Sequence, residues 1–244
     1  MRTTQRLDKV LAHMGIGTRS EIKKMVKSGR VRVNGETVSD SSVHVQPESD
    51  RIEVGDRVIQ YKQHIYIMMH KPQGVISATE DVRERTVLDL LDEEMRRFRP
   101  FPAGRLDKDA TGLLLLTNDG GLAHRLLSPV KHVDKTYEVE VDGPLDADEL
   151  ARRFAEGVVL EDGYRTLPAD LRVRESGPHR SVAELTIREG KFHQVKRMFA
   201  SAAGRKVTRL KRIRVGPLRL DERLAPGEWR ELTEPELAAL NALK

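Results

Sequence analysis

Two stretches of the chain carry residue types that could do chemistry together. The first, Gly104-Arg105-Leu106-Asp107-Lys108-Asp109-Ala110-Thr111-Gly112, is a glycine-bracketed loop with two carboxylates beside an arginine and a lysine. An aspartate among basic neighbours is held ionised, the state a nucleophile or base needs near neutral pH and the wrong one for an acid. Aspartate is also a common turn residue that bonds its own backbone, so this loop alone leaves both readings open. The second stretch is Glu189-Gly190-Lys191-Phe192-His193-Gln194-Val195-Lys196-Arg197-Met198-Phe199. At helical spacing Val195, Met198, Phe199 and Ala202 share one face, His193, Arg197 and Ala200 lie opposite, and Lys196 falls on the border. From that border a lysine can run its ammonium along the edge of a packed helix towards a carboxylate. A plain amphipathic helix with a wet basic side would show the same pattern.

Composition bounds what such residues could serve. The 244 residues hold no cysteine, so disulfides and thiolate metal sites are excluded, and the eight histidines lack the helical pairing of zinc hydrolases. No metal is expected. The N-terminus is charged from Arg2, and the longest apolar runs, Ile65 to Met69 and Leu113 to Leu116, are too short for a signal or a membrane span, so a cytoplasmic location is expected. Arg188 to Arg219 carries eleven Lys or Arg against one acid, Glu189, a local net of +10 in a chain that is +5 overall. That asymmetry points to a polyanionic partner.

The elements that must position these residues can be read in order. Leu7, Val10, Leu11 and Met14 recur at helical spacing, and Thr18 with Glu21 forms a capping box for a second helix. That helix buries Ile22, Met25 and Val26 and leaves Arg19, Lys23, Lys24 and Lys27 outside, with Arg30 just beyond. Asn34-Gly35 between two short β-runs signals a hairpin, and Asp50 to Val54 adds a strand. Val58 to His64 is polar and patternless and reads as a linker, which places one small domain at 1–60 and a larger one at 65–244.

In the larger part, Ile65 to Met69 and the four leucines Leu113 to Leu116 read as buried strands, with Thr86 to Met95 a helix between them. Tyr137, Val139 and Val141 alternate, as do Ala183, Leu185 and Ile187, and Asp146 to Phe154 is helical. Strands and helices mix without regular alternation. The expectation is α+β, with a mostly antiparallel mixed sheet flanked by helices. No Walker loop or GxGxxG follows a strand, so no nucleotide cofactor is expected.

The N-terminal motifs Arg6-Leu7-Asp8-Lys9-Val10-Leu11-Ala12, Gly17-Thr18-Arg19-Ser20-Glu21 and Gly29-Arg30-Val31-Arg32-Val33-Asn34-Gly35 resemble an S4 domain, a small RNA-binding module. By that resemblance Arg6, Lys9, Arg19, Lys23, Lys24, Lys27, Arg30 and Arg32 would contact RNA. Lys71-Pro72-Gln73-Gly74-Val75-Ile76-Ser77, Gly104 to Asp107, Lys135-Thr136-Tyr137 and Gly190 to Phe199 extend the likeness over nearly the whole chain. Together they resemble the bacterial ribosomal RNA pseudouridine synthases of the RsuA type, which implies an S4 domain followed by a catalytic domain. The resemblance makes Asp107 the catalytic aspartate, Tyr137 the aromatic stacked on the target base, and Lys196 the basic partner of Asp107.

On the same ground Arg105, Val195, His193 and Arg197 would bind substrate, while Asp109 would support. The implied reaction isomerises a uridine of small-subunit rRNA without a cofactor, by a monomer that binds rRNA and no membrane. Two other readings stay open: the same reaction on large-subunit rRNA, and a non-catalytic S4-type assembly protein. Binding alone gives no reason to aim a carboxylate at a polyanion.

Overall fold

The computed structural model describes residues 4–243, the Pro129 side chain excepted. The chain divides into two compact units, one reaching to Ile65 and including Asp92–Pro100, the other made of Tyr66–Leu91 and the residues from Phe101 onward.

The first unit is built as its periodicities predict. Helix α1 (Leu7–His13) buries Leu7, Val10 and Leu11, and α2 (Arg19–Lys27) buries Ile22 and Val26. Thr18 and Glu21 cap α2 reciprocally, with the Glu21 carboxylate accepting from the Thr18 backbone N–H at 2.7 Å. Strands β1 (Val31–Val33), β2 (Glu36–Thr37), β3 (Ile52–Val54) and β4 (Arg57–Ile59) form a sheet of order β2-β1-β3-β4. Asn34 and Gly35 both take positive φ, 54° and 86°, as the tight turn between β1 and β2 demands. The expected linker begins later than the polarity suggested, because Val58 and Ile59 belong to β4 and Ile59 is buried in this unit's core.

The second unit is a mixed sheet of order β8-β9-β7-β10-β6-β5-β11, comprising β5 (Tyr66–Lys71), β6 (Thr111–Thr117), β7 (Lys135–Asp142), β8 (Asp170–Ser176), β9 (Arg180–Ile187), β10 (Val207–Val215) and β11 (Trp229–Glu231). Every neighbouring pair along that path is antiparallel except β6 with β10. Ile67, Met68 and Met69 of β5 and the leucines of β6 are buried on both faces, which is why they read as unbroken apolar runs. On one face Leu113 and Leu115 pack with Leu122 and Leu126 of α3 (Gly120–Leu127) and Leu240 of α6 (Glu234–Asn241). Elsewhere α4 (Ala147–Ala155) and α5 (Gln194–Ala203) meet through Phe154 and Phe199, whose ring centroids are 5.2 Å apart.

The helix expected over Thr86 to Met95 does not form as one piece. Asp89 turns back to accept from the Thr86 backbone N–H at 2.7 Å, closing a single 3₁₀ turn, Val87–Leu90. Asp92 then caps a separate short helix, Glu93–Arg96, by accepting from Met95 N–H at 2.8 Å. Two aspartates offering side-chain oxygens to nearby backbone compete with continuous helix. The second piece packs in the first unit, where Phe98 meets the His13 ring edge-on at 5.5 Å.

Candidate active site

Strand register puts four residues of the second unit in one row across the sheet. Lys71 of β5 pairs with Gly112 of β6, Gly112 with Arg212 of β10, and Arg212 with Tyr137 of β7. Gly112 has φ +107°, and a Cβ there would collide with the Arg212 backbone, so only glycine lets these strands close. The loop containing Asp107 runs directly into this row.

That loop is braced from both sides. Lys71 has no solvent exposure, and its ammonium donates to the carbonyl oxygens of Pro72, Asp107 and Ala110 at 3.0, 3.0 and 2.9 Å. Burial pushes the Lys71 ammonium down to about 8, against the pull of the Asp109 and Asp107 carboxylates, so at neutral pH it keeps all three donors. Ser77 Oγ donates to Leu106 O and accepts from Leu106 N–H, both at 3.0 Å, and Gly74 N–H donates to Lys108 O at 2.8 Å. From β10, Arg212, itself 3% exposed, donates to Leu113 O at 2.8 Å and Arg105 O at 3.2 Å. The Lys71–Ser77 stretch thus acts on the carboxylate's backbone, holding it in place before any ligand arrives.

The consequence can be measured. Lys71→Met leaves loop carbonyls without donors and is expected to lower stability by about 2–4 kcal/mol in urea unfolding. Its turnover should fall more than tenfold; a variant as stable and active as the parent would show that the loop holds itself.

Above this frame the Asp107 carboxylate is partly exposed, with Lys196 Nζ 3.3 Å from Oδ2 and His193 Nε2 3.7 Å from Oδ1. Lys196 also reaches Asp109, and more closely, at 2.6 and 2.9 Å from its two oxygens. Burial works to lower the Lys196 ammonium, but its hydrogen bond to Asp109 and the charge of Asp107 outweigh that and raise it. Asp109 is in turn held below the usual carboxylate range, chiefly by its bond from Lys196. One ammonium therefore bridges both loop carboxylates.

The cations beside Asp107 are not its sequence neighbours. Lys108 turns away to Glu84 at 2.7 Å, and Arg105 is exposed; among the described residues neither forms an ion pair with Asp107. The positive charge comes instead from Lys196, nearly ninety residues on, with the His193 ring beside it. His193 is not on the helix face assigned to it: α5 starts at Gln194, and His193 precedes it with φ 48° and ψ 31°. Arg197 is met by Glu161 at 3.4 Å and by Asp162. Val195 is buried, and Tyr137 is only 7% exposed. Gln194, unsuspected from its polarity, is buried and donates to Glu189 at 2.8 Å.

In the first unit, Lys9, Arg19, Lys23, Lys24, Lys27 and Arg30 are exposed, and none is in an ion pair among the described residues. Arg6 pairs with Asp8 at 2.7 Å and Arg32 with Glu53 at 3.7 Å, which partly offsets their charge. No helix among the described residues is long and apolar enough to cross a membrane.

Comparison with known proteins gives two family matches: residues 65–201 match the RNA pseudouridylate synthase family and residues 5–58 match the S4 domain. The chain is 52% identical over 236 residues to an uncharacterized RNA pseudouridine synthase of Bacillus subtilis, covering 97% of this chain and 98% of the relative. It is 43% identical over 238 residues to ribosomal small subunit pseudouridine synthase A of Yersinia pestis, covering 97% and 98%. A crystal structure of a pseudouridylate synthase superposes with a TM-score of 0.67 at 39% identity, covering 96% of this chain and 99% of that one.

Proposed function

The chain belongs to the RNA pseudouridylate synthase family and is an isomerase acting on RNA, and from that premise we propose that its substrate is a uridine of small-subunit ribosomal RNA. The choice of subunit is supported by the 43% identical relative named for the small subunit, which matches over nearly the full length of both chains. In this reading residues 1–60 are the RNA-binding module and 65–244 the catalytic domain, and the protein works as a cytoplasmic monomer.

The observation that carries the chemistry is the braced loop, which presents the Asp107 carboxylate to Lys196 at 3.3 Å. Pseudouridine forms when the C1′–N1 bond of uridine breaks, the uracil turns, C5 bonds to C1′, the hydrogen on C5 leaves as a proton, and N1 takes one up. No oxidant or energy source enters that balance. Asp107 supplies the negative charge at the sugar, whether as nucleophile at C1′ or as base, and Lys196 fixes its orientation. Tyr137 stacks on the extruded base, Val195 packs beside it, and Arg105 and His193 hold the flipped nucleotide, offsetting the few kcal/mol lost when a base leaves its stack. Arg197, tied to Glu161 and Asp162, supports the wall of the site.

Mapping pseudouridines across rRNA from cells that lack the protein tests the substrate. One missing modification in small-subunit rRNA is expected; one missing only from large-subunit rRNA would reassign it. The basic face of α2 gives a further expectation. Replacing Lys23, Lys24 and Lys27 by alanine in the full chain should weaken rRNA binding and make its dependence on log salt shallower by about 2–3. An unchanged slope in filter binding would remove these lysines from the phosphate contacts.

A further inference from the structure

Beside the catalytic carboxylate lies an aromatic surface that the reaction described above leaves unused. Phe192 is 77% exposed, in a chain whose aromatic residues make up only 4% of the sequence. One face of its ring is stacked on His193, with centroids 3.8 Å apart and planes at 20°, and the other is open to water. His193 continues the line to Asp107 at 3.7 Å. His193 itself takes a left-handed backbone conformation, uncommon for a residue with a side chain. Lys191, next in the chain, lies over the Tyr164 ring at 4.8 Å, and Tyr164 is anchored by donating to Glu189 at 2.6 Å. The cation held at Tyr164 thus belongs to the residue that precedes Phe192 in the chain.

We propose that Phe192 is a stacking platform for an unpaired base adjoining the target uridine, with Lys191 meeting the neighbouring phosphate. This rests on RNA being the substrate, which family membership gives, and not on which rRNA is modified. An exposed aromatic face one residue from a lysine matches the alternation of base and phosphate in a single strand. Because Phe192 already stacks on His193, a base on its open side would extend that stack, and His193 in turn touches Asp107 through Nε2. The extruded uridine and its neighbour are then held at two adjacent sites.

The test uses the full chain with Phe192→Trp, and decauridylate and inorganic polyphosphate of matching charge as probes. Decauridylate should quench emission beyond the change seen with Trp229 alone in the parent, and polyphosphate should not. Equal responses to both, or none to decauridylate, would overturn the proposal. On the rRNA that the parent enzyme modifies, Phe192→Ala and Phe192→Leu should raise KM about tenfold, more than they lower kcat, and Phe192→Tyr should restore it, since stacking needs a π-face and not bulk. A leucine variant as good as tyrosine would make the residue mere packing. The quenching arm does not depend on the target, so a wrong assignment of rRNA and a wrong assignment of Phe192 give different results.

Discussion

Asp107→Asn is expected to yield a folded protein that binds rRNA with the parent's affinity and forms pseudouridine more than about a thousandfold more slowly, because the transition state loses its negative charge. The substitution is nearly isosteric, and the backbone of residue 107 is fixed by Lys71 and by Ala110 N–H, not by its own side chain. Loss of turnover can then be read as loss of chemistry. Asp109→Asn is the matched control. It removes the closer of the two carboxylates on Lys196 but leaves the 3.3 Å contact with Asp107, so turnover should fall less than about tenfold. The opposite ranking would mean that Asp109 is the reacting carboxylate.

Lys196→Met is expected to lower kcat about a hundredfold while changing rRNA affinity little. The ammonium bridges Asp107 and Asp109, and without it two carboxylates face each other across the loop with only His193 to orient one of them. The side chain is a quarter exposed and its charge is already met by two acids, so it contributes little free positive charge for phosphate. Steady-state kinetics beside filter binding separates the cases. Affinity that falls as steeply as turnover would make Lys196 a phosphate contact.

Much of this site was legible in the sequence where local rules decide. Thr18 and Glu21 cap a helix, Asn34-Gly35 turns a hairpin, and Val195, Met198, Phe199 and Ala202 line the buried side of α5, because each depends on residues a few positions apart. The loop carboxylates and the lysine on the helix border were also visible as candidates. What spacing and periodicity could not show is which groups meet across long separations; the pairing of Asp107 with Lys196 came from the family resemblance, and the structure has it at 3.3 Å. Lys108, expected as a neighbour to help hold Asp107 ionised, pairs with Glu84 instead, while Lys196, the expected partner of Asp107, meets Asp109 more closely.

The buried cations were hidden for a different reason. Lys71 and Arg212 are charged residues within strands, and charge normally signals a surface. Their burial follows from the register that sets them on either side of Gly112, which leaves loop carbonyls in need of donors. For Lys71 a signal existed, since it ends the apolar run of β5 immediately before Pro72, where a solvated lysine had no evident reason to sit. The left-handed backbone of His193 gave no such sign.

Transfer of uracil from its N1 link to a C5 link, driven by the Asp107 carboxylate, fixes the fate of one hydrogen. Small-subunit rRNA transcribed with [5-³H]uridine and incubated with the purified full chain should release tritium to water in step with pseudouridine formation. No free uracil should appear, and Asp107→Asn should release tritium more than about a thousandfold more slowly than the parent. Tritium release by that variant at the parent's rate, or uracil set free without a new C5 bond, would contradict the account.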